Sequence, residues 1–325
     1  MDCTLLDIIN AKKNVYHYLR PTPLHHYPTL SSLIGCEAYI KHENHQPVGA
    51  FKVRGGLNLA ASLSPEEKKG GLFTASTGNH GQSIAYAARA YGIRASIAVP
   101  QGANPGKVGA MEAMGATVLV HGKDFDTARE WIMAQAEEQG GYFVGPTDRL
   151  LIHGVGTYGL EIMDELPDVD TIIVPVGAGS GVCGTAVAAK AINPEVSIIG
   201  VQSAQAPAQQ LSWKAGTRVE AGMNTFAEGL ATRIPFDNTQ ELMHHYLDDF
   251  VLVDDSEIKK AIRILLQHTH NLAEEAGAAA LAAALNMGKE LQGRKVVMVM
   301  SGGNIALEKL RDVLDTTEFS DGYKE

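Results

Sequence analysis

Six short apolar runs set the terms of this sequence: GLFTAS (71–76), ASIAVP (95–100), ATVLVHG (116–122), DTIIVPVG (170–177), VSIIGVQ (196–202) and KVVMVMSGG (295–303). Each is too short for a buried helix, so each reads as a buried strand. Helical patterns lie between them. GQSIAYAARAYGI (81–93) repeats apolar residues at helical spacing and ends near Gly92. NPGKVGAMEAMGA (104–116) has a proline near its start, and DFDTAREWIMAQAEEQG (124–140) begins acidic and stops at Gly140. EEAGAAALAAALNMGKE (274–290) is rich in alanine, which suits a tightly packed helix. Strand alternating with helix predicts an α/β protein, with mostly parallel sheets flanked by helices. Two such series, 71–145 and 170–303, predict two domains. A small mobile domain, 70–148, is inserted into a large one made of 1–69 and 149–325.

Composition narrows the class. The chain has 325 residues, 45% hydrophobic and 20% charged, as in an ordinary globular protein. A formal net charge of -10, spread along the chain, argues against nucleic acid as the main partner. Apolar runs such as VVMVM (296–300) are too short to span a bilayer, and the start lacks a signal-peptide core. Cys3, Cys36 and Cys183 show no pairing pattern, which fits a reducing, cytoplasmic setting.

Four segments are candidates for chemistry. In PVGAFKVRGG (47–56), Lys52 lies between Phe51 and Val53, with Gly55 and Gly56 behind it. Most lysines are solvated, but one desolvated among apolar groups has a lowered pKa and is a nucleophile toward carbonyls. In FTASTGNHGQSIAYAARA (73–90), Ser76, Thr77, Asn79 and His80 crowd a helix start. Such residues are usually caps, yet the same geometry suits a carboxylate or phosphate. In IIVPVGAGSGVCGTAVAAK (172–190), glycines let a backbone wrap an anion. The stretch Gly179–Gly184 also fits a dinucleotide fingerprint, which would need an acid at the end of the next strand. That strand ends in Gln202 and Ser203, so a simple phosphate cup or a structural turn remains. In VVMVMSGGNIALEKL (296–310), Ser301 ends a buried strand, where α/β sheets place ligands. Together these supply an amine, a phosphate cup, a hydroxyl and a carboxylate-binding helix start. Pyridoxal phosphate with an amino-acid substrate uses all four.

At this point the sequence resembles the fold-type II pyridoxal-phosphate enzymes, and within them the threonine/serine dehydratases (ammonia-lyases) and serine racemases. The resemblance runs from RPTPL (20–24) to SGGN (301–304). It implies the tryptophan synthase β-like architecture, with Lys52 as the Schiff-base lysine and Phe51 beside the cofactor ring. It implies that Ser76, Thr77, Asn79 and His80 receive the substrate carboxylate, with Asn79 also facing the phenolic oxygen. Gly177, Ala178, Gly179, Ser180 and Gly181 match the phosphate loop. Ser301 matches the hydroxyl that meets the pyridine nitrogen, and Glu274 the glutamate near the ring. A homodimer is implied as well.

The departures refine what is expected. Ala50 replaces the usual serine before Phe51. Thr77 stands where racemases carry a catalytic serine, so it keeps an acid/base hydroxyl. Gln202 and Ala208 stand where the family's divalent-cation site has acids, so no metal is expected. By this resemblance, no isoleucine-binding regulatory domain is expected. The resemblance thus implies an ammonia-lyase that removes the β-hydroxyl of threonine, serine or a related amino acid. Racemisation is one alternative. Others are elimination from hydroxyaspartate, hydroxyectoine-derived or aryl-serine substrates, nicotinamide-dependent oxidoreduction at Gly179–Gly184, and a non-catalytic binding module.

Overall fold

The computed structural model describes residues 3–315. Its ten strands are β1 (Leu24–His26), β2 (Glu37–His42), β3 (Leu72–Ala75), β4 (Ala95–Val99), β5 (Thr117–Val120), β6 (Tyr142–Phe143), β7 (Thr171–Pro175), β8 (Ser197–Ser203), β9 (Asp249–Val253) and β10 (Lys295–Met300). The described residues divide into two compact units. One contains the residues up to Arg20 together with Gln46–Thr157, and the other contains Pro21–His45 and the chain from Tyr158 onward. The first unit therefore takes in segments 3–20, 46–69 and 149–157, which lie outside the 70–148 domain expected from sequence.

The first unit holds a four-stranded, fully parallel sheet in the order β5-β4-β3-β6. The central strands β3 and β4 are buried along their whole length, as expected for strands covered on both faces. The edge strand β5 has both ends exposed. Ile84, Leu57, Ile97 and Val144 belong to its main core, and Phe73, Ala128 and Ile132 to a second one.

The second unit holds a six-stranded sheet in the order β1-β2-β10-β7-β8-β9. All its pairings are parallel except β1 with β2. The alanine-rich helix Glu275–Met287 is buried from Glu275 to Ala284 and packs on β7, β8, β9 and β10. Small side chains let it lie close to the sheet. Lys41 on β2 is fully buried, and it is paired with Glu161 at 2.7 Å and donates to the Thr22 carbonyl at 2.6 Å. Among the described residues all three cysteines are free, and no helix is long and apolar enough to cross a membrane.

Both sheets have a point where chain order reverses. From β3 the chain proceeds to β4 and β5 on one side, and β6 returns on the other. From β7 it proceeds to β8 and β9, and β10 returns on the other side. Ligands of open α/β sheets bind beyond the strand ends at such points. The loops that follow β3 and β7 carry two of the four segments singled out by sequence.

Candidate active site

In the first unit, Lys52 is the first residue of the helix Lys52–Ser62, and Phe51 immediately precedes it. Gly55 and Gly56 allow close helix packing. A Cβ at Gly55 would stand 2.8 Å from the Leu151 carbonyl oxygen, and one at Gly56 2.6 Å from that of Ser83. The glycine pair thus seats this helix against the helices Arg149–Val155 and Asn79–Tyr91, which fixes where Lys52 emerges. Lys52 Nζ lies 5.3 Å from the centroid of the Phe51 ring. Part of the lysine surface stays accessible, yet burial of its ammonium pushes the pKa down to about 8.

The loop after β3 carries Ser76 and Thr77, and the helix Asn79–Tyr91 begins without a side-chain cap. Ser76 Oγ accepts from the Gly78 N–H at 3.1 Å. By helix geometry the first-turn N–H groups have no acceptor within the helix, and its positive dipole end lies here. Ser76 and His80 are buried, whereas Thr77 and Asn79 are half-buried.

His80 is held by the returning strand. Its Nε2 lies 3.0 Å from Thr74 Oγ1 and 3.1 Å from the Val144 carbonyl oxygen. Thr74 Oγ1 itself donates to that carbonyl at 2.8 Å, so it is free to accept, and the network assigns the ring proton to Nε2. Burial, and then the Lys52 charge, push the His80 pKa down to about 4. His80 Nδ1 is buried without a partner. The ring is therefore neutral, and its Nδ1 is an acceptor. A carboxylate arriving at this helix start meets backbone N–H groups and hydroxyls, not an imidazolium.

In the second unit, the loop after β7 runs through Gly177, Ala178 and Gly179 into the helix Ser180–Ile192. A Cβ at Gly177 would stand 2.1 Å from the Gly229 carbonyl oxygen. Gly179 has φ +105°, a conformation that suits glycine, and a Cβ there would stand 2.8 Å from Thr239 Cβ. The loop carbonyls are engaged by the protein. The Ala178 oxygen accepts from Thr239 Oγ1 at 2.8 Å and Gln209 Nε2 at 3.3 Å. The Gly179 oxygen accepts from the Cys183 N–H at 3.0 Å, and the Gly181 oxygen from Tyr158 Oη at 3.0 Å and Thr185 Oγ1 at 2.9 Å. With its carbonyls turned to these donors, the loop is a bare-backbone cradle at the positive end of a helix, which suits a phosphate. Thr239, Gln209 and Tyr158 carry no local motif, because each is an ordinary polar residue on a separate helix.

Ser301 follows β10, the neighbour of β7, and is buried. Its loop meets Glu274, whose backbone N–H donates to the Gly302 carbonyl at 3.0 Å. Glu274 is buried and immediately precedes the alanine-rich helix, without a side-chain cap bond to it. A Cβ at Gly277, one turn on, would stand 2.4 Å from the Gly302 oxygen, so that helix also sits directly on the serine loop. Gln202 is fully buried; its amide donates to the Leu230 carbonyl at 3.3 Å, and its oxygen accepts from the Gln210 N–H at 3.2 Å. Among the described residues, no group of three His, Cys, Asp or Glu is placed to hold a metal ion.

Comparison with known proteins follows the same lines. Residues 15–302 match the family model described as pyridoxal-phosphate dependent enzyme. An L-threonine ammonia-lyase of Thermotoga maritima is 42% identical over 99% of this chain and 80% of the relative. A catabolic L-threonine dehydratase, TdcB, of Staphylococcus aureus is 37% identical over 96% of this chain and 92% of the relative. Among solved structures, processed threonine deaminase isoform 2 of Solanum lycopersicum superposes with a TM-score of 0.91 at 34% identity, covering 95% of this chain and 91% of that one. Maize serine racemase superposes with a TM-score of 0.90 at 31% identity, covering 97% of each chain. The bare glycine cradle and the desolvated lysine are the two features such a cofactor demands, and this chain belongs to the pyridoxal-phosphate dependent enzymes.

Proposed function

We propose that the protein is an ammonia-lyase that eliminates the β-hydroxyl of L-threonine, L-serine or a related β-hydroxy amino acid, giving a 2-keto acid and ammonia. The observation that carries this reading is Lys52, an amine with its pKa lowered to about 8, in a chain 37–42% identical to proteins named threonine ammonia-lyase or dehydratase. Near neutral pH such an amine is neutral in an appreciable fraction, as a nucleophile and general base require.

Each residue then has a part. Lys52 Nζ is the point of covalent attachment, and as a free amine it takes the proton from the substrate Cα. Phe51 lies against the ring. Gly177, Ala178, Gly179, Ser180 and Gly181 hold the phosphate through backbone N–H groups and the helix dipole. Ser301 would offer the pyridine nitrogen a neutral partner, and Glu274 would lie near the ring. Ser76, Thr77, Asn79 and the backbone N–H of His80 orient the substrate carboxylate, and Asn79 also faces the phenolic oxygen. When bound, pyridoxal phosphate supplies an aldehyde for attachment and a conjugated ring that draws electrons away from Cα. A small mobile domain built on 70–148 within the first unit, a homodimer and a cytoplasmic setting complete the proposal.

The test is a keto-acid assay across serine, threonine and bulkier β-hydroxy amino acids. Keto acid released from one of them is the expected result, and none from any would sink the lyase reading. Thr77 favours one second reading, because its hydroxyl stands where racemases carry their serine, and maize serine racemase is 31% identical. Chiral analysis of recovered substrate separates the two: a racemase returns both enantiomers, and a lyase only the one supplied.

A further inference from the structure

The glycine loop does not hold its own shape. Only Gly179, with φ +105°, has an unusual backbone angle, and its direction depends on what lies behind it. Two side chains from two other helices meet there. Thr239 belongs to the first turn of the helix Asp237–Tyr246, and Gln209 to the first turn of the helix Ala208–Ala215. Both are fully buried. Both donate to one atom, the Ala178 carbonyl oxygen, at 2.8 Å from Thr239 and 3.3 Å from Gln209. The Thr239 hydroxyl also lies 3.2 Å from the Phe236 carbonyl, so the bond to Ala178 is the shorter of its two. Thr239 fills the space where Gly179 has no Cβ. Gln209 is in turn fixed by Gln240 Nε2, which reaches the Gln209 side-chain oxygen at 2.6 Å and its backbone oxygen at 3.0 Å.

We propose that Thr239 and Gln209 are positioning residues for the cofactor phosphate. By holding the Ala178 carbonyl they turn the neighbouring peptide N–H groups toward the anion. An unheld carbonyl would be free to rotate its negative end into the cup, where a dianion would repel it. The pair acts through the backbone at Ala178. The inference rests on reading 177–181 as the phosphate loop, and the test separates the two.

The probes are pyridoxal phosphate and pyridoxal, which lacks the phosphate, each titrated into the full-length enzyme after removal of its cofactor. The parent should bind the phosphate form far more tightly. Thr239→Val keeps the side-chain volume and removes the donor. It should weaken the phosphate form about tenfold, the worth of one buried hydrogen bond, and leave pyridoxal binding unchanged. Thr239→Ser should restore tight binding, and Gln209→Leu should show the same selectivity with a smaller loss. Unchanged phosphate-form binding in both donor-less variants would overturn the proposal. So would equal losses for both probes, which mean general damage. A parent that binds both probes equally would instead overturn the phosphate-loop reading itself, and the positioning role with it.

Discussion

The two sheets use the same topological point for different chemistry. After β3 the chain places hydroxyls, an amide and a neutral imidazole at a helix start. After β7 it places glycines, where an added Cβ at Gly177 or Gly179 would strike the surrounding protein. The first unit supplies atoms that titrate or carry protons, with Lys52 lowered to about 8 and His80 to about 4. The second supplies backbone dipoles and two buried polar side chains, Ser301 and Glu274. Covalent chemistry needs a group whose protonation is tuned, whereas holding a phosphate needs only rigid N–H donors. One topology therefore presents two different sets of residue types at corresponding strand ends.

Mutations should separate the two halves. The largest effect belongs to Lys52→Ala, which should cut turnover by about 10³-fold or more and remove the cofactor's visible absorbance band. A yellow, fully active variant would end the assignment.

Acid should come next. His80 binds its proton at pH 6.5 when unfolded but only near pH 4 when folded. Between those values the unfolded chain holds more protons. Stability is therefore complete above pH 6.5 and falls as pH drops toward 4, by about 3 kcal/mol for this group. Buried His42, on β2, is pushed down to about 4 as well. His80→Asn should accordingly reduce the acid sensitivity, measured as denaturant midpoints across pH. An unaltered pH profile would show that His80 is not buried as a neutral ring.

Gly177→Ala probes the other half. Its Cβ would meet the Gly229 carbonyl oxygen at 2.1 Å, so the loop must shift, at about 1–3 kcal/mol. Cofactor affinity should fall by about 10- to 100-fold while the low pKa of Lys52 persists. Retained affinity would mean that the cradle is elsewhere. The smallest effect is Ser301→Ala, which loses one hydrogen bond and should slow turnover about three- to tenfold. Ser301→Asp should protonate the ring nitrogen and slow elimination further. Unchanged kinetics in both would remove Ser301 from the site.

Much of this was legible because parallel strands buried on both faces are continuous apolar runs. β3, β4, β5, β7 and β10 fall within the runs named from sequence, and β8 runs one residue past its own. β2 escaped notice, although it pairs with β1 and β10 inside the sheet. Its sequence, EAYIKH, carries a lysine and a histidine in buried positions. That is tolerable only because Lys41 finds Glu161 and the Thr22 carbonyl, partners remote in sequence. β1 and β6 are too short to leave a pattern. The candidate site shows the same division. Lys52, the helix start and the glycine loop are local clusters and can be read directly. The partners that orient them, Thr74 behind His80 and Thr239 and Gln209 behind Ala178, lie on other elements and are ordinary polar residues by themselves.

The glycine pair in the Lys52 helix has a consequence for anyone mapping this enzyme by mutation. Neither Gly55 nor Gly56 brings a reactive atom, yet a single methyl at either would press on a neighbouring main chain and swing the lysine off its mark. A saturation screen scored on turnover would rank both alongside Lys52. Only a measure of amine placement, independent of rate, would tell the hinge from the hand.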